Sequence, residues 1–128
     1  MIYFPLEQQK GVLEQLEEIN AKRAAYFPDN DRLLNMDILW YANAIAGETG
    51  EFCNLVKKKL RGDIYDRDGV TKLTKEYICQ ELADIIIYCE FAANICGLSL
   101  SEIVAKKFNA VSTEMKIDSF IKTQNTNL

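Results

Sequence analysis

The 128-residue chain has no histidine. That absence excludes Ser-His-Asp and Cys-His catalysis, histidine-ligated zinc, the Glu-x-x-His pairs of di-iron bundles and a histidine general base. Any chemistry falls to carboxylates, lysines, tyrosines, cysteines or a metal. Proline (2) and glycine (6) are scarce, which argues against a collagenous, loop-rich or disordered chain. Positive charge is not in excess, since 15 basic against 19 acidic residues give a net charge of −4. A general phosphate-backbone binder is normally basic, so no nucleic-acid partner is expected. No apolar run reaches membrane length. The longest, Ile85 to Leu100, is interrupted by Glu90 and is too short to span a bilayer. The start, MIYFPLEQQK, lacks the basic residues and long apolar segment of a secretory signal. A cytoplasmic protein with no membrane partner is the expectation. Cys53, Cys79, Cys89 and Cys96 show no C-x-x-C spacing, and are expected to be reduced, mostly buried thiols.

What is present is helical periodicity. One domain is expected over 1–128, with 119–128 a flexible polar tail. A first helix is predicted from about Leu6 to Tyr26, with Val12, Leu13, Leu16, Ile19 and Arg23 on one face, broken by Pro28, Asp29 and Asn30. A second runs from Asn35 or Met36 to Leu60, with an apolar stripe of Ile38, Ala42, Ile45, Thr49, Phe52, Val56 and Leu60. Its basic last turn and Gly62 suit a helix C-terminus. Residues 62–70 read as a solvated turn, because an EF-hand frame would put Ile64 and Lys75 at ligand positions. A third helix is predicted from about Thr71 to Ile95 or Cys96. Ser99 and Glu102 form a capping box that opens a fourth, to about Met115. Four helices with short connections imply an all-α, antiparallel four-helix bundle.

Carboxylates stand where apolar residues belong. In the third helix Tyr77, Glu81, Asp84, Tyr88, Phe91 and Ile95 share one face. In the second, Glu48 and Glu51 are three residues apart, about 60° around the helix, and project together. An antiparallel return would set Glu48-x-x-Glu51 opposite Glu81-x-x-Asp84. A buried, unpaired carboxylate is expensive, and four together repel. Such oxygen-rich sites suit Mg²⁺, with Mn²⁺ as a substitute. The bland alternative is that the acids pair with Lys57, Lys58, Lys75 or Arg61 in surface salt bridges.

The pattern E-x-x-E then E-x-x-D resembles the signature of the MazG-like, all-α nucleotide pyrophosphohydrolases. The segments GETGEFCNLVKK (47–58), QELADIIIYCEFAANICGLSLSEI (80–103) and KKFNAVS (106–112) extend the resemblance over about residues 36–116. The chain departs from the family in its long linker between acid pairs, in Gly47 where many members have an acid, and in Glu114 where a basic residue is expected.

The resemblance implies hydrolysis of a nucleoside triphosphate, a dNTP or modified nucleotide, to the monophosphate and pyrophosphate. Glu48, Glu51, Glu81 and Asp84 would hold the metal, with Glu48 or Glu51 as general base. Lys58, Arg61, Lys107 and Asn109 are the expected phosphate contacts. Tyr88 and Trp40 are the expected base-stacking residues, with ordinary core packing as the alternative for both. Family members are dimers or tetramers, so self-association is expected. Two other readings share the fold: a non-catalytic nucleotide-binding or interaction module, and a phosphoribosyl-ATP pyrophosphohydrolase.

Overall fold

A computed structural model describes residues 10–24 and 36–123. These form four helices: α1 (Val12–Ala24), α2 (Ile38–Leu60), α3 (Lys75–Ile95) and α4 (Leu100–Glu114). The fold is all-α, as the periodicity requires. The expected start of α1 at Leu6, its end at Tyr26, the break at Pro28 to Asn30, and residues 124–128 lie outside the described residues.

The helix ends have local causes. The Asp37 side chain caps α2 by accepting from Trp40 N–H, 3.0 Å. The α2 end is closed by Gly62, whose φ of 96° is open to glycine. Thr74 caps α3 by accepting from Tyr77 N–H, 3.1 Å. Gly97 (φ 71°) lets the chain leave α3, and Ser99 Oγ accepts from Glu102 N–H at the start of α4. α3 begins later than Thr71 because 71–73 belong to a hairpin. Asp66 N–H donates to Thr71 O (2.8 Å), Leu73 N–H to Ile64 O (2.9 Å) and Gly69 N–H to Asp66 O (2.9 Å), around a Tyr65–Lys72 bridge. The segment expected to be a solvated turn is therefore a pinned hairpin, anchored by the buried Leu73.

α2 and α3 run antiparallel and pack along their length. Their contact holds two apolar clusters. Tyr41 and Phe91 form one with Met36, Trp40, Ile87 and Tyr88. Leu55, Leu73 and Ile78 form the other with Phe52, Val56 and Tyr77. Burial of such side chains stabilises by about 1.5–3 kcal/mol each. α3 is central, touching α1, α2 and α4. The chain turns through 100° between α3 and α4, so the antiparallel arrangement is that of the α2–α3 pair.

α1 docks through polar groups. The Glu17 carboxylate accepts from Ser99 Oγ (3.0 Å) and Ser101 N–H (2.8 Å) at the α4 N-terminus, a position where an anion is stabilised. Buried Asn20 donates to Glu90 of α3, 2.5 Å. Neither contact follows from the apolar periodicity of α1.

One expectation needs correction. Cys53, Cys79 and Cys96 are exposed and Cys89 is half-buried, although all four are free thiols. Cys53 and Cys79 lie off the contact line between α2 and α3, and Cys96 is the α3 C-cap. On α2 the contact surface takes in part of the apolar stripe together with the acid face beside it. Tyr41 and Leu55 are buried, Ala44, Ile45, Glu48, Phe52 and Val56 are half-buried, and Ile38, Ala42, Thr49 and Leu60 are exposed. α3 packs on the face that carries the acids.

Candidate metal centre and its flanking groove

The two apolar clusters leave a gap along the α2–α3 contact, and the carboxylates fill it. Glu48 and Glu51 lie between Tyr41 and Leu55 on α2. Glu81 and Asp84 lie between Ile78 and Phe91 on α3. Helix spacing puts each pair on the facing surfaces. One carboxylate oxygen from each of Glu48, Glu51 and Glu81 lies within 4.8 Å of the others.

No compensating cation is present in this cluster. Among the described residues, no lysine or arginine ion-pairs with Glu48, Glu51, Glu81 or Asp84. Glu81 Oε2 is buried without a hydrogen-bond partner. Burial, with Glu51 and then Glu48 and Asp84 adding repulsion, pushes the Glu81 carboxyl up to about 7. Burial also raises Glu48, aided by Glu51 and Asp84. Asp84 is exposed at the rim, and its charge is felt at Glu48, Glu81 and Tyr88. Three converging hard oxygen donors, with Glu81 unsatisfied and the Glu48 and Glu81 carboxyls held above their usual range, fit a divalent cation of the Mg²⁺ or Mn²⁺ type.

The flanks of the cluster differ. Toward the start of α2 stand aromatic rings. Trp40 meets Tyr41 edge-on at 5.1 Å and Tyr88 at 6.2 Å, and Tyr41 stacks on Phe91 at 5.8 Å. Tyr88 borders both regions, since burial and then Glu48 and Asp84 raise its hydroxyl. Both expected base-stacking residues are thus on this side, packed against each other.

Toward the end of α2 runs a polar groove. Its first part, about 310 Å³, is lined by Glu51, Asn54, Lys58, Arg67, Tyr77 and Glu81 among others. A second part, about 370 Å³, shares Asn54, Lys58, Asp66 and Arg67 and reaches Arg61. Lys58 donates to Asp66 Oδ1, 2.6 Å, with both side chains mostly buried. Tyr77 OH donates to Asp66 Oδ2, 2.7 Å, and Arg67 N–H to Oδ1, 2.7 Å. Those three donors, Lys58 first, hold the Asp66 carboxyl well below the usual carboxylate range. Arg61 ion-pairs with Asp63, 2.7 Å.

Of the expected phosphate contacts, Lys58 and Arg61 line this groove and Lys107 and Asn109 do not. Lys107 is exposed on α4. Both ends of the Asn109 amide bond the backbone of Ile121, at 2.8 and 2.7 Å. Asn54, Asp66 and Arg67 also line the groove, outside the residues that the acid pattern and the basic helix end mark. The signal for Asn54 was its place one turn before Lys58. No periodic signal marks Asp66 or Arg67, because a hairpin places them.

The MazG nucleotide pyrophosphohydrolase domain model matches residues 37–113. The chain is also similar to "Gene 37 protein" of Mycobacterium phage L5, with 31% identity over 98 residues, covering 75% of this chain and 82% of the phage protein. No solved structure matches. The matched segment runs from the α2 N-cap to the last turn of α4 and contains both acid pairs, so the chain belongs to the MazG nucleotide pyrophosphohydrolase family.

Proposed function

We propose that this protein hydrolyses a nucleoside triphosphate, a dNTP or a modified nucleotide, to the monophosphate and pyrophosphate with Mg²⁺ bound at the acid cluster. The observation that carries this reading is the set of Glu48, Glu51 and Glu81 oxygens within 4.8 Å, unpaired with any described cation, between aromatic rings and a cationic groove. Bound divalent ions supply charge neutralisation of the triphosphate and a water acidified for attack at the α-phosphorus. Mn²⁺ is an expected substitute. Glu48, Glu51, Glu81 and Asp84 would hold the ions, and Glu48 or Glu51 would take the proton from the attacking water. The bond from the α-phosphorus to the bridging oxygen breaks, and pyrophosphate leaves. Tyr88 and Trp40 offer faces for the base, and Lys58 and Arg61 offer charge to the phosphates. Lys107 and Asn109, remote from the groove in one chain, serve only if a second copy brings them to it.

Self-association is part of the same reading. Val104, Phe108, Val111 and Met115 step by four, three and four along α4 and are exposed, as are Leu82 and Ile86 on α3. Contiguous exposed apolar faces of this kind mark association surfaces. Among the described residues no single helix is long and apolar enough to cross a membrane.

The test is incubation with each common NTP and dNTP plus Mg²⁺ or Mn²⁺, followed by quantification of products. Monophosphate and pyrophosphate, lost in the Glu51→Gln, Asp84→Asn double variant, would support the reading. Diphosphate and orthophosphate would mean attack at the γ-phosphorus and would overturn it. Metal-dependent binding without turnover would favour a non-catalytic nucleotide-binding module instead. Turnover of phosphoribosyl-ATP alone would favour that narrower activity.

A further inference from the structure

The groove beyond the acid cluster has a direction. Aromatic rings stand on one side of Glu48, Glu51 and Glu81, and the cationic side chains lining the groove stand on the other. From Glu51 to Lys58 the helix rises about 10 Å, a span comparable with linked phosphate groups. The cations are not equivalent. Lys58 is bound to Asp66, and Arg61 is bound to Asp63. Among the described residues the guanidinium of Arg67 enters no ion pair.

Arg67 is also rigidly based. It is the second residue of the turn closed by Gly69 N–H to Asp66 O, 2.9 Å. Its own N–H is held by the Asp66 side chain. Asp68 ties down the other half of the hairpin by accepting from Val70 and Thr71 N–H, both at 2.9 Å. The hairpin ends at Leu73, which is 1% exposed in the apolar cluster with Leu55 and Ile78. A turn pinned on both sides therefore presents one unpaired guanidinium at the edge of a groove that begins at the acid cluster. A guanidinium offers forked donors that match phosphate oxygens.

We infer that Arg67, carried by the α2–α3 hairpin, binds the pyrophosphate half of the substrate, with Lys58 beside it, so that the nucleotide lies with its base toward Trp40 and Tyr88. This inference rests on the hydrolytic reading for the substrate's identity, but the anion site it describes can be probed alone. The contact is made to the leaving group, on which charge grows as its bond to the α-phosphorus breaks, so losing it lowers kcat/KM.

The experiment uses the full chain with Mg²⁺ and inorganic pyrophosphate as the probe, read by thermal stabilisation, beside steady-state kinetics on the best triphosphate. Arg67→Ala and Arg67→Lys are compared with the wild type. The expected result is a pyrophosphate midpoint about tenfold higher in Arg67→Ala, with an intermediate value for Arg67→Lys. For the triphosphate, kcat/KM falls by a similar factor or more. Equal midpoints and equal kcat/KM values in wild type and Arg67→Ala would overturn the inference. So would a wild type that pyrophosphate does not stabilise. A wild type that turns over no triphosphate, yet loses its pyrophosphate response in Arg67→Ala, would sink the hydrolytic reading and leave the anion site standing.

Discussion

Two sets of carboxylates lie along one groove of this molecule, and their electrostatics are opposite. Asp66 accepts from Lys58, from Tyr77 and from the Arg67 N–H, and its carboxyl is held well below the ordinary range. Glu81 has a buried oxygen with no partner and is pushed up to about 7. The residue types are nearly the same. What differs is whether the fold supplies donors. The Asp66 site is complete within the chain and organises the hairpin. The glutamate cluster has no such donors among the described residues, so the fold bears an electrostatic cost there, which in the proposed reading a divalent cation offsets. Strain of this kind is retained where a site has a task.

The contrast is most directly broken by substitution. Glu81→Gln removes one charge from the cluster. It is expected to lower triphosphate hydrolysis by at least about a hundredfold, while raising the metal-free Tm by a few degrees. Product assays and thermal melts on the same preparation check both halves. A loss of Tm would show that the cluster stabilises the fold.

At Asp66 the sign should invert. Asp66→Ala leaves the largely buried Lys58 and the Tyr77 hydroxyl without their acceptor, and lowers Tm by about 3–6 °C. The melt is read without metal, so that loss of ion binding does not contribute.

A pH series sharpens the comparison without mutation. Glu81 has a folded-state pKa of about 7, above its ordinary value of about 4.3. Its contribution is full below the ordinary value and is lost as pH rises through 7. Asp66 is held low, so its contribution is present above about 3.9 and is lost as pH falls toward its folded value. The metal-free Tm should therefore decline between about pH 5 and 8, and Glu81→Gln should flatten that decline. Added Mg²⁺ should stabilise more at pH 8 than at pH 5.

The smallest effect is expected at a third carboxylate. Glu90 is 2% exposed, is raised by burial, and is bonded by Asn20. Glu90→Gln removes the charge and keeps the shape, and should stabilise by about 1 kcal/mol at pH 8. Urea denaturation of the two proteins measures the difference.

The legible part of this fold was whatever repeats with a helix. Glu48 with Glu51, Glu81 with Asp84, and Lys58 beyond them were visible because their spacing puts them on facing surfaces. The stops at Gly62 and Gly97 and the cap at Ser99 were visible from local chemistry. The acid face of α2 meets α3 as the spacing of the two acid pairs requires, with Phe52 and Val56 of the neighbouring apolar stripe packed beside it. The hairpin was not legible. Its bonds, Asp66 to Lys58 and Tyr77 and Leu73 to Ile64, join residues whose spacing follows no single period. Glu17 on the α4 N-terminus and Asn20 on Glu90 cross more than 65 residues of chain, which no local pattern reports.

The central claim is that the glutamate cluster is built for a divalent cation. Calorimetric titration of Mn²⁺ into the metal-free protein at pH 7.5 tests it most directly, with Asp66→Asn and a Glu48→Gln, Glu81→Gln double variant alongside. The expected result is saturable binding by the wild type and by Asp66→Asn, and none by the double variant, whose metal-free Tm is at least that of the wild type. Equal Mn²⁺ affinity in the double variant, or no binding by the wild type, would contradict the account.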